Sequence, residues 1–284
     1  MVQFIRHFLL AVQFFTRIPV TGALAEWTGY SPAMLRASAA HFPGIGWLAG
    51  GVAAGVYAVL VALLPLSLFS PLIAAALSTV ATVLLTGAFH EDGLADVCDG
   101  LGGSRDAPRA LEIMKDSRVG AFGALALVLV LACKLPLIAL LGSLETEVQD
   151  GVDIVLALDP WLVPAALLAA HVVSRGLPLL LIRVLPHVGD STTSKSKPLA
   201  DQISLASLGA AFLWCFMALA LASYVLDAIA LTAACSFAVV ALLWMGRLFS
   251  RRLGGFTGDC LGATQQVCEI TFYLGLVIGM PATA

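Results

Sequence analysis

Seven stretches of this chain are each long and apolar enough to cross a lipid bilayer: 44–65, 71–89, 119–142, 161–186, 204–226, 228–249 and 261–280. A spanning helix needs about 20 apolar residues. Inside hydrocarbon each backbone N–H and C=O must find its partner within the protein, and continuous apolar runs of this length do so as helices. The expected fold is therefore all-α, a polytopic transmembrane helical bundle. Composition agrees: 60% of the 284 residues are hydrophobic, 12% are charged, and the mean hydropathy is +0.97. Soluble domains carry about a quarter charged residues. The absence of a basic domain or stripe argues against nucleic-acid binding. The six cysteines form no CxxC pair and no Cys/His zinc pattern, so most read as small buried hydrophobes, with Cys98 and Cys260 set apart beside acidic residues.

No long soluble domain or internal repeat interrupts the spans, so residues 1–284 read as a single integral membrane domain. Residues 1–20 lack a small-residue cleavage site. With Phe4, Phe8, Phe14 and Phe15 they read as an interfacial helix, Arg6 and Arg17 reaching toward water. Positive residues set the orientation. Arg6, Arg17 and Arg36 precede the first span. Arg105, Arg109, Lys115 and Arg118 lie between the second and third, Lys195 and Lys197 between the fourth and fifth, and Arg247, Arg251 and Arg252 between the sixth and seventh. The connection LETEVQDGVD, after the third span, is purely acidic. This alternation predicts a cytosolic N-terminus. It also puts three polar segments on the cytosolic face: the acidic segment at 90–118, KDSRVGAFG overlapping its end at 115–123, and the Gly-rich segment at 254–266.

The first of these opens FHEDGLADVCDGLGG, at 89–103. Asp92, Asp96 and Asp99 are spaced i, i+4, i+7, which puts all three on one face of a helix, with Glu91 turned aside. Carboxylates so close repel unless a cation lies among them. Mg²⁺ is held by carboxylate oxygens together with substrate phosphates, so the three aspartates are candidate metal ligands. His90 opens the motif as a candidate ligand or hydrogen-bond donor. The alternative is a solvated loop with ordinary acids, but four acids at a span's edge run against the cytosolic preference for basic residues.

In KDSRVGAFG, Lys115 and Arg118 offer charge for phosphate oxygens and Asp116 offers another carboxylate. The two cations also serve as anchors for the third span. GGFTGDCLGATQQ, at 254–266, is a glycine-rich turn opening the seventh span, with Gly255, Thr257, Gly258 and Asp259 as candidates; such a turn exposes N–H groups to an anion. Within the spans, Glu269, Lys134, His171 and Arg175 are charged or polar, and intramembrane ionisable residues are functional candidates by default. Lys134 reads as a snorkelling side chain or as a structural partner. His171 and Arg175, at i and i+4, read either as site residues or as a packing pair.

The acidic segment, together with FTRIPV at 15–20, HFPGIGWLAGG at 41–51, KDSRVGAFG and GGFTGDCLGA, resembles cobalamin synthase, also called adenosylcobinamide-GDP ribazoletransferase. The likeness runs over nearly the whole chain in the family's order. It implies a multi-pass enzyme of the bacterial inner (cytoplasmic) membrane with its active site facing the cytosol. It further implies adenosylcobinamide-GDP and α-ribazole or α-ribazole 5′-phosphate as substrates, GMP release, and Mg²⁺ as cofactor. Glu91, Asp92, Asp96, Asp99, Lys115, Asp116, Arg118 and Asp259 match the family's motif positions. The expected partners are these small molecules and the lipid bilayer, with self-association into a homo-oligomer compatible with the sequence.

The nearest chemical rival is a CDP-alcohol phosphotransferase. DGLAD is like that family's opening, but the Arg it needs and the two later aspartates behind a glycine are absent. A transporter, with Glu269, Lys134 and His171 lining a pathway, is the rival from another class. Paired broken helices in repeated halves, which transporters often show, are not evident.

Overall fold

The structure, a computed structural model, describes residues 2–144, 146–149, 153–156, 160–189 and 203–280. The N-terminal part holds α1 (Val2–Phe15), α2 (Gly22–Thr28), α3 (Pro32–Ser38) and α4 (Phe42–Leu63). Next come α5 (Ser70–Thr86), α6 (Phe89–Gly103), α7 (Ala107–Ile113) and α8 (Ala121–Ser143). The remainder is α9 (Leu162–Gly176), α10 (Leu179–Val184), α11 (Leu205–Ala222), α12 (Ala228–Leu253) and α13 (Gly258–Gly279). Between α8 and α9, strands Thr146–Gln149 and Asp153–Leu156 pair antiparallel, with Thr146 opposite Leu156, a small departure from the all-helical expectation. Lys195 and Lys197 lie outside the described residues.

Among the described residues six helical segments are long and apolar enough to cross a membrane, and the bent pair α5–α6 makes a seventh if counted as one span. The expected first span lengthens to Pro32–Leu63, because α3 and a 3₁₀ turn run into α4. The expected second span, 71–89, is α5. It ends at Gly87 and Ala88, both left-handed at φ 66° and 60°, and α6 leaves at 89° to it. The acidic helix therefore turns out of the line of the spans and lies across the end of the bundle. The Arg17 side chain packs over Gly87, and its backbone N–H donates to the Leu85 carbonyl at 2.7 Å.

The fourth span is the centre of the bundle. Its 18-residue apolar window is 83% buried, against 17% for α8. It breaks into α9 and α10 near Pro178. A helix surrounded by protein can carry polar groups that lipid would not accept, which accounts for His171 and Arg175 within this stretch. α4 lies against α9 where Gly46 and Gly50 face it: a Cβ on Gly46 would sit 2.5 Å from the His171 carbonyl oxygen, and one on Gly50 would sit 2.8 Å from Leu168 Cα. Small residues at i and i+4 let backbones approach this closely, and packing of this kind drives helix association in lipid.

Candidate active site

FHEDGLADVCDGLGG forms α6 from end to end. α6 packs on the start of α13 at Gly93, where a Cβ would lie 2.9 Å from the Asp259 carbonyl oxygen and 3.1 Å from its Cα. This contact brings Asp259, 160 or more residues on in the chain, beside Asp92 and Asp96. Asp92 is exposed, while Asp96 and Asp259 are half-buried. Burial pushes the Asp96 carboxyl up to about 7, reinforced by the charges of Asp259, Asp92 and Asp99. A carboxylate cluster of this kind asks for a proton or a cation.

Asp99 serves differently. Its Oδ2 accepts from Gly120 N–H at 2.7 Å and its Oδ1 from Gly123 N–H at 2.8 Å. It thereby satisfies the free donors at the start of α8, as a capping carboxylate does. The spacing does align Asp92, Asp96 and Asp99 on one helix, but Asp99 is turned into α8 and buried. Among the described residues no three His, Cys, Asp or Glu side chains form a ready-made metal cage. The donor set that remains is Asp92, Asp96 and the neighbouring Asp259. Mg²⁺ commonly takes one or two carboxylates and fills its shell with water and substrate phosphate, so these residues fit it.

Glu91 points into the bundle, where Gln266 Nε2 donates to its Oε1 at 3.1 Å. It marks the edge of a buried polar network that sequence reading did not assemble. Lys134 of α8 pairs with Glu269 of α13 at 2.6 Å. Gln265 donates to Glu269 at 2.7 Å and to Ser174 at 3.0 Å, and Gln266 donates to Gln265 at 3.0 Å. Arg175 Nη1 donates to His171 Nδ1 and to the His171 carbonyl, both at 3.0 Å. Guanidinium is only a donor, so His171 Nδ1 is an acceptor, and its 3.6 Å approach to Glu269 is no hydrogen bond. With His171 neutral, Lys134 and Arg175 balance Glu269 and Glu91. Arg175 therefore sits inside the bundle rather than on an open phosphate-binding face. Gln265, Gln266 and Ser174 gave no sequence signal beyond their polarity in apolar helices.

The other candidates are placed as follows. Asp116 and Arg118 pair with each other, Arg118 Nε to Asp116 Oδ1 at 3.0 Å, and the Arg118 side chain is 86% exposed. The hydrogen bonds from Arg118 hold the Asp116 carboxyl down at about 2. Lys115 is exposed on the same turn. Thr257 caps α13, accepting from Cys260 N–H at 3.4 Å, and its hydroxyl approaches Asp259 Oδ2 at 3.4 Å. Gly258 opens α13 beside that carboxylate. Gly255 is a packing position: a Cβ there would collide with the Pro186 carbonyl, at a short bridge in which Val188 N–H donates to the Phe256 carbonyl at 2.9 Å. The acidic helix, the start of α8 and the 254–259 turn thus meet at one end of the bundle, where Arg252 also donates to the carbonyls of Leu101 and Ser104 at 2.9 and 2.8 Å.

The fold and this cluster define a class: a multi-pass membrane protein with an acidic site built on a helix folded across the end of its bundle. The family that matches residues 7–277 is described as cobalamin-5-phosphate synthase. The chain is 68% identical over 280 residues to an adenosylcobinamide-GDP ribazoletransferase of Polaromonas naphthalenivorans, covering 99% of this chain and 100% of that one. It is 60% identical over 294 residues to the protein of that name from Albidiferax ferrireducens, covering 99% and 100%. With the one from Vibrio cholerae it shares 42% over 270 residues, covering 95% and 92%. No solved structure matches the chain. The chain belongs to the cobalamin-5-phosphate synthase family and is an enzyme of cobalamin biosynthesis.

Proposed function

We propose that this protein joins adenosylcobinamide-GDP to α-ribazole, or to α-ribazole 5′-phosphate, completing the nucleotide loop of adenosylcobalamin or its 5′-phosphate and releasing GMP with Mg²⁺. The observation that carries the reading is the meeting of Asp92, Asp96 and Asp259 at one end of the bundle, in a chain 68% identical to a protein of that name. The ribazole 3′-hydroxyl oxygen attacks the phosphorus nearer the corrinoid. The bond from that phosphorus to the bridging oxygen breaks, GMP leaves with that oxygen, and the hydroxyl proton passes to a carboxylate. Phosphoryl transfer depends on positioning and charge neutralisation more than on covalent help.

Asp92 and Asp96 would hold Mg²⁺, which neutralises the diphosphate and the leaving GMP. Asp259 and Glu91 are the carboxylates left to take the proton. Glu91 faces Gln266 inside the bundle, so Asp259 is assigned the role. Lys115 and Arg118, exposed beside the site, supply charge for the phosphates. The site faces the cytosol of a bacterial inner membrane. The test is GMP release by detergent-solubilised protein given adenosylcobinamide-GDP and α-ribazole, with Mg²⁺ or with EDTA. Wild type releases GMP only with Mg²⁺, and Asp96→Asn loses at least a hundredfold while staying in the membrane. Full activity in that variant overturns the assignment.

The buried network favours this reading over transport. Lys134, Glu269, His171 and Arg175 are paired with one another in the packed interior instead of lining a water-filled path.

A further inference from the structure

Between α1, α4 and the start of α6 lies a small pocket whose walls are almost wholly apolar. Phe14 and Phe15 of α1, Phe42 of α4, and Phe89 and His90 of α6 supply five of its rings. Phe15 stacks on Phe42 at 4.5 Å between centroids, and Phe42 stacks on His90 at 5.5 Å and 11°. Gly258 contributes to the lining, next in the chain to Asp259, as His90 is next to Glu91. His90 is 1% exposed, yet its Nε2 has no hydrogen-bond partner. A buried polar atom without a partner is costly and rare in a native interior. It marks a place for a ligand atom.

Three occupants can be weighed on chemistry. An acyl chain would suit the walls but leave Nε2 without a partner. Guanine would strand its carbonyl, amino and ring N–H groups against phenylalanine faces. A dimethylated benzimidazole riboside is flat and apolar at its edges. One ring nitrogen carries the sugar, and the other is a single free acceptor. Neutral imidazole with its hydrogen on Nε2 is the matching donor. Aromatic faces stack on such a ring in offset or edge-on geometry.

We infer that the pocket of Phe14, Phe15, Phe42, Phe89 and His90 holds the benzimidazole of α-ribazole, with His90 Nε2 as its one hydrogen bond. This deepens the proposed function and rests on it for the identity of the nucleoside. Seated there, the riboside carries its sugar toward Asp259.

The test measures binding to the purified protein by equilibrium dialysis, without turnover. Three nucleosides are compared: α-ribazole, its analogue without the two methyl groups, and an indole analogue with C–H in place of the free ring nitrogen. For wild type the indole analogue binds about tenfold more weakly than α-ribazole, the worth of one buried hydrogen bond. In His90→Leu the two bind equally, and His90→Gln restores part of the difference. The KM for adenosylcobinamide-GDP stays within twofold in both variants. Loss of the methyl groups weakens binding in wild type and variants alike. If the indole analogue binds wild type as well as α-ribazole does, the inference is wrong, and that comparison requires no variant to fold. It is equally wrong if GMP displaces α-ribazole competitively, or if His90→Leu raises the corrinoid substrate's KM instead. α-Ribazole binding with this discrimination but no GMP release would sink the proposed reaction and keep the pocket. GMP release without the discrimination would do the reverse.

Discussion

Asp96 sits among carboxylates that ask for a proton or a cation. Its folded-state carboxyl sits at about 7, raised first by burial and then by Asp259, Asp92 and Asp99. A raised acid binds its proton more tightly folded than unfolded, so stability is lost as pH rises from the ordinary carboxylate range through about 7. For the metal-free protein in EDTA, the thermal midpoint is expected to fall between pH 5 and pH 8. Asp96→Asn, which cannot ionise, should flatten that slope, and Mg²⁺ should raise the wild-type midpoint most at the alkaline end. Thermal melts across this pH range decide the matter; a wild-type profile as flat as the variant's would show that the cluster carries no such tension. Asp99 teaches a different lesson at the same scale. It shares a motif with Asp96, but its two oxygens receive Gly120 and Gly123 N–H groups. The sequence shows the carboxylate and its helical phase. It does not show which of three aligned acids another helix will claim, because that depends on where α8 begins in space.

At the scale of elements, the buried ion pair joins α8 to α13, and the glutamine, serine and arginine side chains extend it to α9 and α6. Taking one member away leaves the other charged and unpaired in the interior, which costs about 3–5 kcal/mol. Replacing both with apolar residues of similar size removes the desolvation cost as well. Lys134→Met and Glu269→Leu are each expected to destabilise the protein strongly, and the double substitution less than either. Unfolding in detergent gives the comparison, and additive losses would show that the pair is not coupled. Glu269 and Lys134 stand out in the sequence as charges in hydrocarbon stretches, and His171 and Arg175 stand out in the fourth span. That these residues face each other could not be read, since four of the described helices, α9 to α12, lie between Lys134 and Glu269 in the chain. The bend between α5 and α6 was hidden for a local reason: Ala88 is left-handed at φ 60°, a conformation that alanine does not advertise.

For the whole molecule, the seven apolar stretches were legible because hydrocarbon imposes length and composition on each span separately. Their packing order was not, although the high burial of α9 has its trace in that helix's polar residues. The same one-dimensional logic carries the orientation. Apart from Lys134 and Arg175, which are buried in the bundle, the Lys and Arg residues among those described fall before or at the start of the first span, after α5, at the end of α10 or at the end of α12. Chain order puts these on the side that carries the acidic helix. Positively charged connections are retained in the cytosol, so the active-site end is expected there, where a soluble nucleotide-bearing substrate would reach it. The opposite end holds the α11–α12 connection around Ser223, which is exposed. Single cysteines at Arg105 and at Ser223 separate the two sides. A membrane-impermeant thiol reagent applied to intact spheroplasts should label Ser223→Cys, and should label Arg105→Cys only after the membrane is opened. The native cysteines supply the background to subtract, above all the exposed Cys133. The reverse pattern would turn the bundle over, put the carboxylates outside, and require a substrate exported to meet them.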